Sequence, residues 1–299
     1  MARTRFRSDR GLTLRMGGVG LGLGALYVAF GAVLIAYSNM AVGLIVVLGM
    51  SWGQWYFSDR LALASMGAKE VSPEQAPELH AMIDRLCALA DMPKPRVAVS
   101  VTDMPNAFAT GRSPSHSAVC VTTGIMQRLD ADELEGVLAH ELSHVANRDV
   151  TVMTVASSLG LLAGFITRWG MYFGGGGNNN RNNNGGPAFL VVLLVSLVVY
   201  AVSFLLTRSL SRYRELSADR SGAYLTGRPS KLSSALVKIS GDMARIPNRD
   251  LREGAAISAF FFAPAINRES VTALFSTHPP LEQRLDQLAR VSSELSEPI

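Results

Sequence analysis

Asp130-Ala131-Asp132-Glu133-Leu134-Glu135-Gly136-Val137-Leu138-Ala139-His140-Glu141-Leu142-Ser143-His144 is the stretch on which the reading of this 299-residue chain turns. Asp130 stands three residues before Glu133, the spacing of a capping box, and so marks a helix start. Leu134, Val137, Leu138 and Leu142 recur at helical intervals and give that helix an apolar backing. His140 and His144 are four apart and share one face, so both imidazoles reach a single ion. Neutral imidazole suits zinc. Glu141 is placed to face water in the open coordination position, where a carboxylate acts as general base.

Beyond His144 comes an apolar run, residues 150–169, and three more lie at 16–37, 41–57 and 187–207. At 1.5 Å per residue the longer runs cover a hydrocarbon core about 30 Å thick. Residues 16–37 exceed the roughly 7–15 apolar residues of a signal peptide, and a second run follows at once. Trp52, Trp55 and Tyr56 close that second run as interfacial aromatics do. Composition agrees: 48% of residues are hydrophobic and 17% charged, against about a quarter charged in soluble domains. The expected fold is a mainly α membrane protein, with four transmembrane helices and a small α+β zincin-like catalytic domain.

The net charge is +4, and Arg3, Arg5, Arg7, Arg10 and Arg15 form a basic arm. A nucleic-acid partner is excluded because the arm leads straight into an apolar run, where it orients a protein in the lipid bilayer. The arm stays in the cytoplasm, four spans return the C-terminus there, and the region after residue 57 faces the same side. Arg168 and Arg181 fall on the far side, Arg168 at a helix end from which it snorkels. Residues 174–186 are Gly/Asn low complexity and read as an extramembrane loop. Cys87 and Cys120 lack metal-type spacing and read as buried thiols of a reducing compartment.

The chain thus divides into an arm and hairpin (1–57), a cytoplasmic catalytic region (58–149), a second hairpin (150–207) and a cytoplasmic C-terminal region (208–299). In the catalytic region Ser72-Pro73-Glu74 opens an amphipathic helix through Leu79, Met82, Ile83 and Leu86. Residues 96–101 alternate as a half-buried strand, and 107–109 and 118–121 are short strands parted by a turn. His80 and His116 have no partner at ligand spacing and are expected on the surface.

Catalytic zinc takes three protein ligands. The third candidate is Glu215, in Arg214-Glu215-Leu216-Ser217-Ala218-Asp219. Asp219 is one turn on and suits the outer N–H of a ligating histidine. A solvated charged helix is the alternative, and geometry decides against it. His144 precedes the third run by about 9 Å of helix and Glu215 follows the fourth by about 12 Å. An antiparallel hairpin therefore brings all three ligands to one height.

These residues, with Asn106-Ala107-Phe108-Ala109-Thr110-Gly111 and Thr277-His278-Pro279-Pro280, resemble the HtpX family of membrane metalloproteases, relatives of the Ste24 prenyl-protein proteases. The resemblance covers nearly the whole chain and implies zinc on His140, His144 and Glu215, with Glu141 as base. It implies an edge strand, Asn106, Ala107, Phe108 and Ala109 onward, to which a substrate backbone adds. It also implies oxyanion stabilisation by His278 and Arg284, and quality control of membrane or unfolded proteins at the bacterial cytoplasmic (inner) membrane. Residues 174–186 depart from the family pattern. Prenyl-protein peptidases resemble a larger helical chamber than four apolar runs provide. A silent scaffold with structural zinc has no use for Glu141, and a metal transporter calls for ionisable groups that runs 16–37 and 187–207 lack.

Overall fold

The computed structural model describes residues 10–37, 49, 52–53, 55–149, 185–243 and 279–296. The chain forms two compact units, one of Arg10–Tyr56 with Thr151–Leu210, the other of Phe57–Val150 with Ser211–Ile299 and Met1–Asp9. The first unit holds α1 (Arg10–Tyr37), which exposes Leu14, Leu21 and Val28. Large apolar side chains turned outward along a long helix fit a lipid surrounding.

The second unit begins with α2 (Ser58–Ser65), β1 (Lys69–Glu70), α3 (Pro77–Ala90) and β2 (Arg96–Ser100). The hairpin of β3 (Ala107–Ser113) and β4 (His116–Thr122) leads to α4 (Thr123–Arg128) and α5 (Ala131–Ala146). A 42-residue helix, α6 (Gly185–Thr226), follows, its residues from Ser211 onward belonging to this unit. Then come α7 (Pro229–Met243) and α8 (Leu281–Ser296).

Two helical stretches are long and apolar enough to cross a membrane among the described residues, Arg10–Phe30 and Leu193–Thr226. They fall on the first and fourth apolar runs. The run 41–57 lies largely, and 150–169 wholly, outside the described residues.

The sheet runs β1-β2-β4-β3, with β2 and β4 parallel and the other pairs antiparallel. Pleating sends alternate residues to opposite faces. Val97, Val119, Val121 and Ala107 join the main core with Ile83 and Leu86 of α3, Leu138 and Leu142 of α5, and Leu232 and Leu236 of α7. Ala98, Phe108, Ala118 and Cys120 pack on the other face beneath Ala62 and Leu63 of α2. The strand at 96–100 is therefore buried on both faces, not half-buried. Its alternation is one of size, with valines toward the helices and Ala98 under α2. Each thiol is buried, and burial pushes Cys87 up to about 11 and Cys120 up to about 12.

Helix α5 is buried on nearly every side from Glu133 to Val145. Full burial of a leucine such as Leu138 or Leu142 stabilises by about 1.5–3 kcal/mol. Its capping box is complete: Glu133 N–H donates to Asp130 Oδ1 at 2.8 Å, and Asp130 N–H to Glu133 Oε2 at 2.9 Å. Ser234 Oγ and Lys238 Nζ of α7 also donate to Glu133, at 2.6 and 2.7 Å, which pins the helix start. The helix expected from Ser72 starts instead at Pro77, because a proline in the first turn fixes φ there. Ser72 closes a preceding turn, its carbonyl accepting from Gln75 and Ala76 N–H.

Candidate metal centre

His140 and His144 project from α5 and Glu215 from α6, and one ligand atom of each lies within 4.8 Å of the others. The two Nε2 atoms face each other at 3.2 Å. Glu215 Oε2 lies 3.5 Å from His140 Nε2, and Oε1 3.5 Å from His144 Nε2. All three side chains are buried.

The other ring nitrogens decide what this cluster wants. His140 Nδ1 lies 2.9 Å from Asp219 Oδ1, and His144 Nδ1 2.7 Å from Asp149 Oδ2. A carboxylate only accepts, so each Nδ1 carries the proton and each neutral ring turns an Nε2 lone pair inward. With both rings neutral, as metal ligation requires, two lone pairs and a carboxylate converge on one point. That donor set fits a divalent cation of zinc's kind. The electrostatics agree: burial opposes charge on His140, but Asp219 and Glu215 outweigh it and push the pKa up to about 9. The pocket is built to hold positive charge.

Glu141 points to the same space from the next residue. Burial raises its pKa above the usual carboxylate range, against the pull of His140 and His144. Ala109 N–H donates to Glu141 Oε2 at 2.9 Å. This N–H thus points away from β4, from the sheet's edge strand toward the site. Phe108 is buried and Asn106 is tied to β4: its N–H donates to Thr122 Oγ1 at 2.9 Å and its carbonyl accepts from Thr122 N–H at 3.0 Å.

Helices α5 and α6 approach closely here. A Cβ on Gly222 would meet His140 N at 2.9 Å and Ala139 C at 3.2 Å. Arg284 comes in from α8, fully buried, and grips Asp219 with two parallel bonds, Nε to Oδ2 at 2.7 Å and Nη2 to Oδ1 at 2.6 Å. Read from sequence as an oxyanion donor, Arg284 spends these two donors on the carboxylate behind His140.

Sequence reading missed Asp149 and its partner Arg214, whose Nε lies 3.1 Å from Asp149 Oδ2. Five residues after His144, Asp149 would not share its face on a continuing helix. It does so because α5 stops at Ala146 and Arg148 adopts a left-handed φ of 58°. Asn147 at the helix end was the available signal. His278 lies outside the described residues. His116 is exposed, as expected, whereas His80 is buried, its ring Nε2 3.0 Å from the Val71 carbonyl.

The sequence model of Peptidase family M48 matches residues 73–292. "Protease HtpX homolog 1" of Streptomyces coelicolor is 56% identical over 98% of this chain and 97% of its own. "Protease HtpX homolog" of Moorella thermoacetica is 55% identical over 99% of each. The crystal structure of Ste24p from S. mikatae superposes with a TM-score of 0.57 at 17% identity, covering 94% of this chain and 67% of that one. That last likeness is one of fold. The histidine pair, the glutamate and the edge strand all fall inside the matched span, so the chain belongs to peptidase family M48 and is a membrane metallopeptidase.

Proposed function

We propose that His140, His144 and Glu215 hold zinc, and that the protein is an endopeptidase acting on membrane or misfolded proteins at the cytoplasmic face of the bacterial inner membrane. The observation that carries the reading is the convergence of two Nε2 lone pairs and a carboxylate within 4.8 Å, beside a second buried glutamate held by an edge strand.

Bound there, zinc supplies a Lewis acid that polarises a carbonyl and lowers the pKa of water toward about 7. Glu141 takes a proton from the attacking water on its carboxylate and passes it to the leaving amine. The Ala109 N–H fixes its orientation for both transfers. Asp219 orients His140. The oxyanion falls to His278 and Arg284, as the family resemblance implies; the bonds to Asp219 engage only Nε and Nη2 of that guanidinium. A substrate segment lies extended beside β3, read through its main chain. Such recognition demands an unfolded stretch and little side-chain identity, which favours misfolded substrates. The HtpX protease relatives and the apolar helices support a membrane setting.

The test is zinc content and cleavage of an unfolded membrane protein by wild type and Glu141→Gln. The variant keeps its zinc and loses about 10²–10⁴ in rate. Full zinc with wild-type cleavage rules out Glu141 as the base.

A further inference from the structure

We propose that Asp149 and Arg214 are positioning residues for the metal centre. Asp149 fixes the tautomer and plane of His144, and Arg214 holds Asp149 in place. The proposal rests on zinc occupying His140, His144 and Glu215.

Three observations carry it. The first is how Asp149 is used. Asp149 is fully buried; its Oδ2 lies 2.7 Å from His144 Nδ1 in a hydrogen bond, and Arg214 Nε stands 3.1 Å from the same oxygen as an ion pair without hydrogen-bond alignment. Oδ1 has no hydrogen-bond partner among the described residues. A buried carboxylate that meets its cation through one oxygen is a poor way to stabilise a fold. Asp219, with both oxygens on Arg284, shows the better-satisfied arrangement. As partner of a ligating imidazole, however, one well-placed oxygen is what is needed, because it fixes the ring and raises its basicity.

The second observation is adjacency. Arg214 and Glu215 are consecutive on α6, so their side chains diverge by about 100°. Glu215 reaches the Nε2 side of His144 at 3.5 Å, while Arg214 reaches the carboxylate behind Nδ1. One turn of α6 therefore addresses both nitrogens of the same ring, directly and through Asp149. The third is the chain path. The left-handed Arg148 serves to bring Asp149 back to the ring that precedes it.

The experiment uses the full chain in detergent, as wild type, Asp149→Asn, Arg214→Gln and Arg214→Lys. Zinc affinity is read by chelator competition, the site by the visible spectrum of the Co(II) form, and the fold by melting of the metal-free protein. Asp149→Asn still accepts from Nδ1 but has lost the charge. Its zinc affinity falls about 10–100-fold and its Co(II) bands shift. Arg214→Gln moves both readouts the same way by less, and Arg214→Lys restores most of the loss. A purely structural role would lower the metal-free melting and leave the Co(II) spectrum of the folded protein unmoved, which overturns the proposal. So does zinc affinity of Asp149→Asn within about twofold of wild type. If Asp149→Asn does not fold, Arg214→Gln decides by the same criteria. Failure of the underlying reading looks different: His140→Ala would then bind zinc as tightly as wild type.

Discussion

At the scale of single residues the site is a chemistry of nitrogens with assigned tasks. The pairing of His140 with His144 and of Glu215 with Asp219 on their helix faces was legible because α-helical spacing of four is a rigid rule that local sequence obeys. Asp149 was not, because its place depends on one left-handed residue, Arg148, whose conformation no periodicity announces. His80 misled in the opposite sense: its partner is a backbone carbonyl, which sequence does not display. His278 remains an expectation of the family resemblance, and its role has a clear signature. A donor made only to the developing oxyanion contributes roughly 2.7–4 kcal/mol in proteases. His278→Ala is therefore expected to lower kcat and kcat/KM together, with KM and zinc content little changed. A rise in KM alone would reduce it to a substrate contact, and loss of zinc would make it a ligand.

At the scale of elements, the start of α5 was readable because capping is local: Asp130 and Glu133 close their box just where the sequence places it. Strand burial was less so, since Ala98 in a two-faced strand mimics the polar position of a one-faced strand. The short elements β1 and α4 carry too few residues for a period to register. What holds the ligands in register is the contact of α5 with α6 at Gly222. A methyl group there must displace backbone atoms of His140, with no flexible side chain to yield. Gly222→Ala is expected to cost about 1–3 kcal/mol, the usual range for overpacking, and to weaken zinc binding. Gly241 in α7 has nothing within 4 Å of its would-be Cβ. Alanine at 241 should instead stabilise by about 0.5–1 kcal/mol through helix propensity. Thermal melting of the two variants side by side checks the contrast; equal shifts would dismiss the close contact as the cause.

At the scale of the whole molecule, charge bias sets the orientation we propose, and thiol labelling tests it. Cys87 and Cys120 are buried with pKa values pushed up to about 11 and about 12, so the native chain gives a silent background near neutral pH. Asn39→Cys and Asn183→Cys are expected to react with an impermeant thiol reagent from outside the cell. Ser115→Cys, in the exposed β3–β4 turn, is expected not to react. Labelling of Ser115→Cys from outside would put the catalytic unit across the membrane. The order of the sheet strands was beyond sequence reading, since it follows from long-range packing, whereas the discontinuity of the catalytic unit was expected from the return of Glu215 to His140 and His144 across the second hairpin. That discontinuity has its own consequence. The chain leaves the unit after Val150 and re-enters it at Ser211, between His144 and Glu215, so an ion held by both would act as a cross-link closing a long loop. The entropy of such closure rises only with the logarithm of loop length, by about 0.6 kcal/mol per doubling. The thirteen residues at 174–186, of which Gly185 and Gly186 already belong to α6, thus add only about 0.2 kcal/mol to closure even when all are counted as free chain. The interval between ligands is therefore free to vary in length, and deleting 174–186 is expected to leave zinc affinity, measured by chelator competition, unchanged.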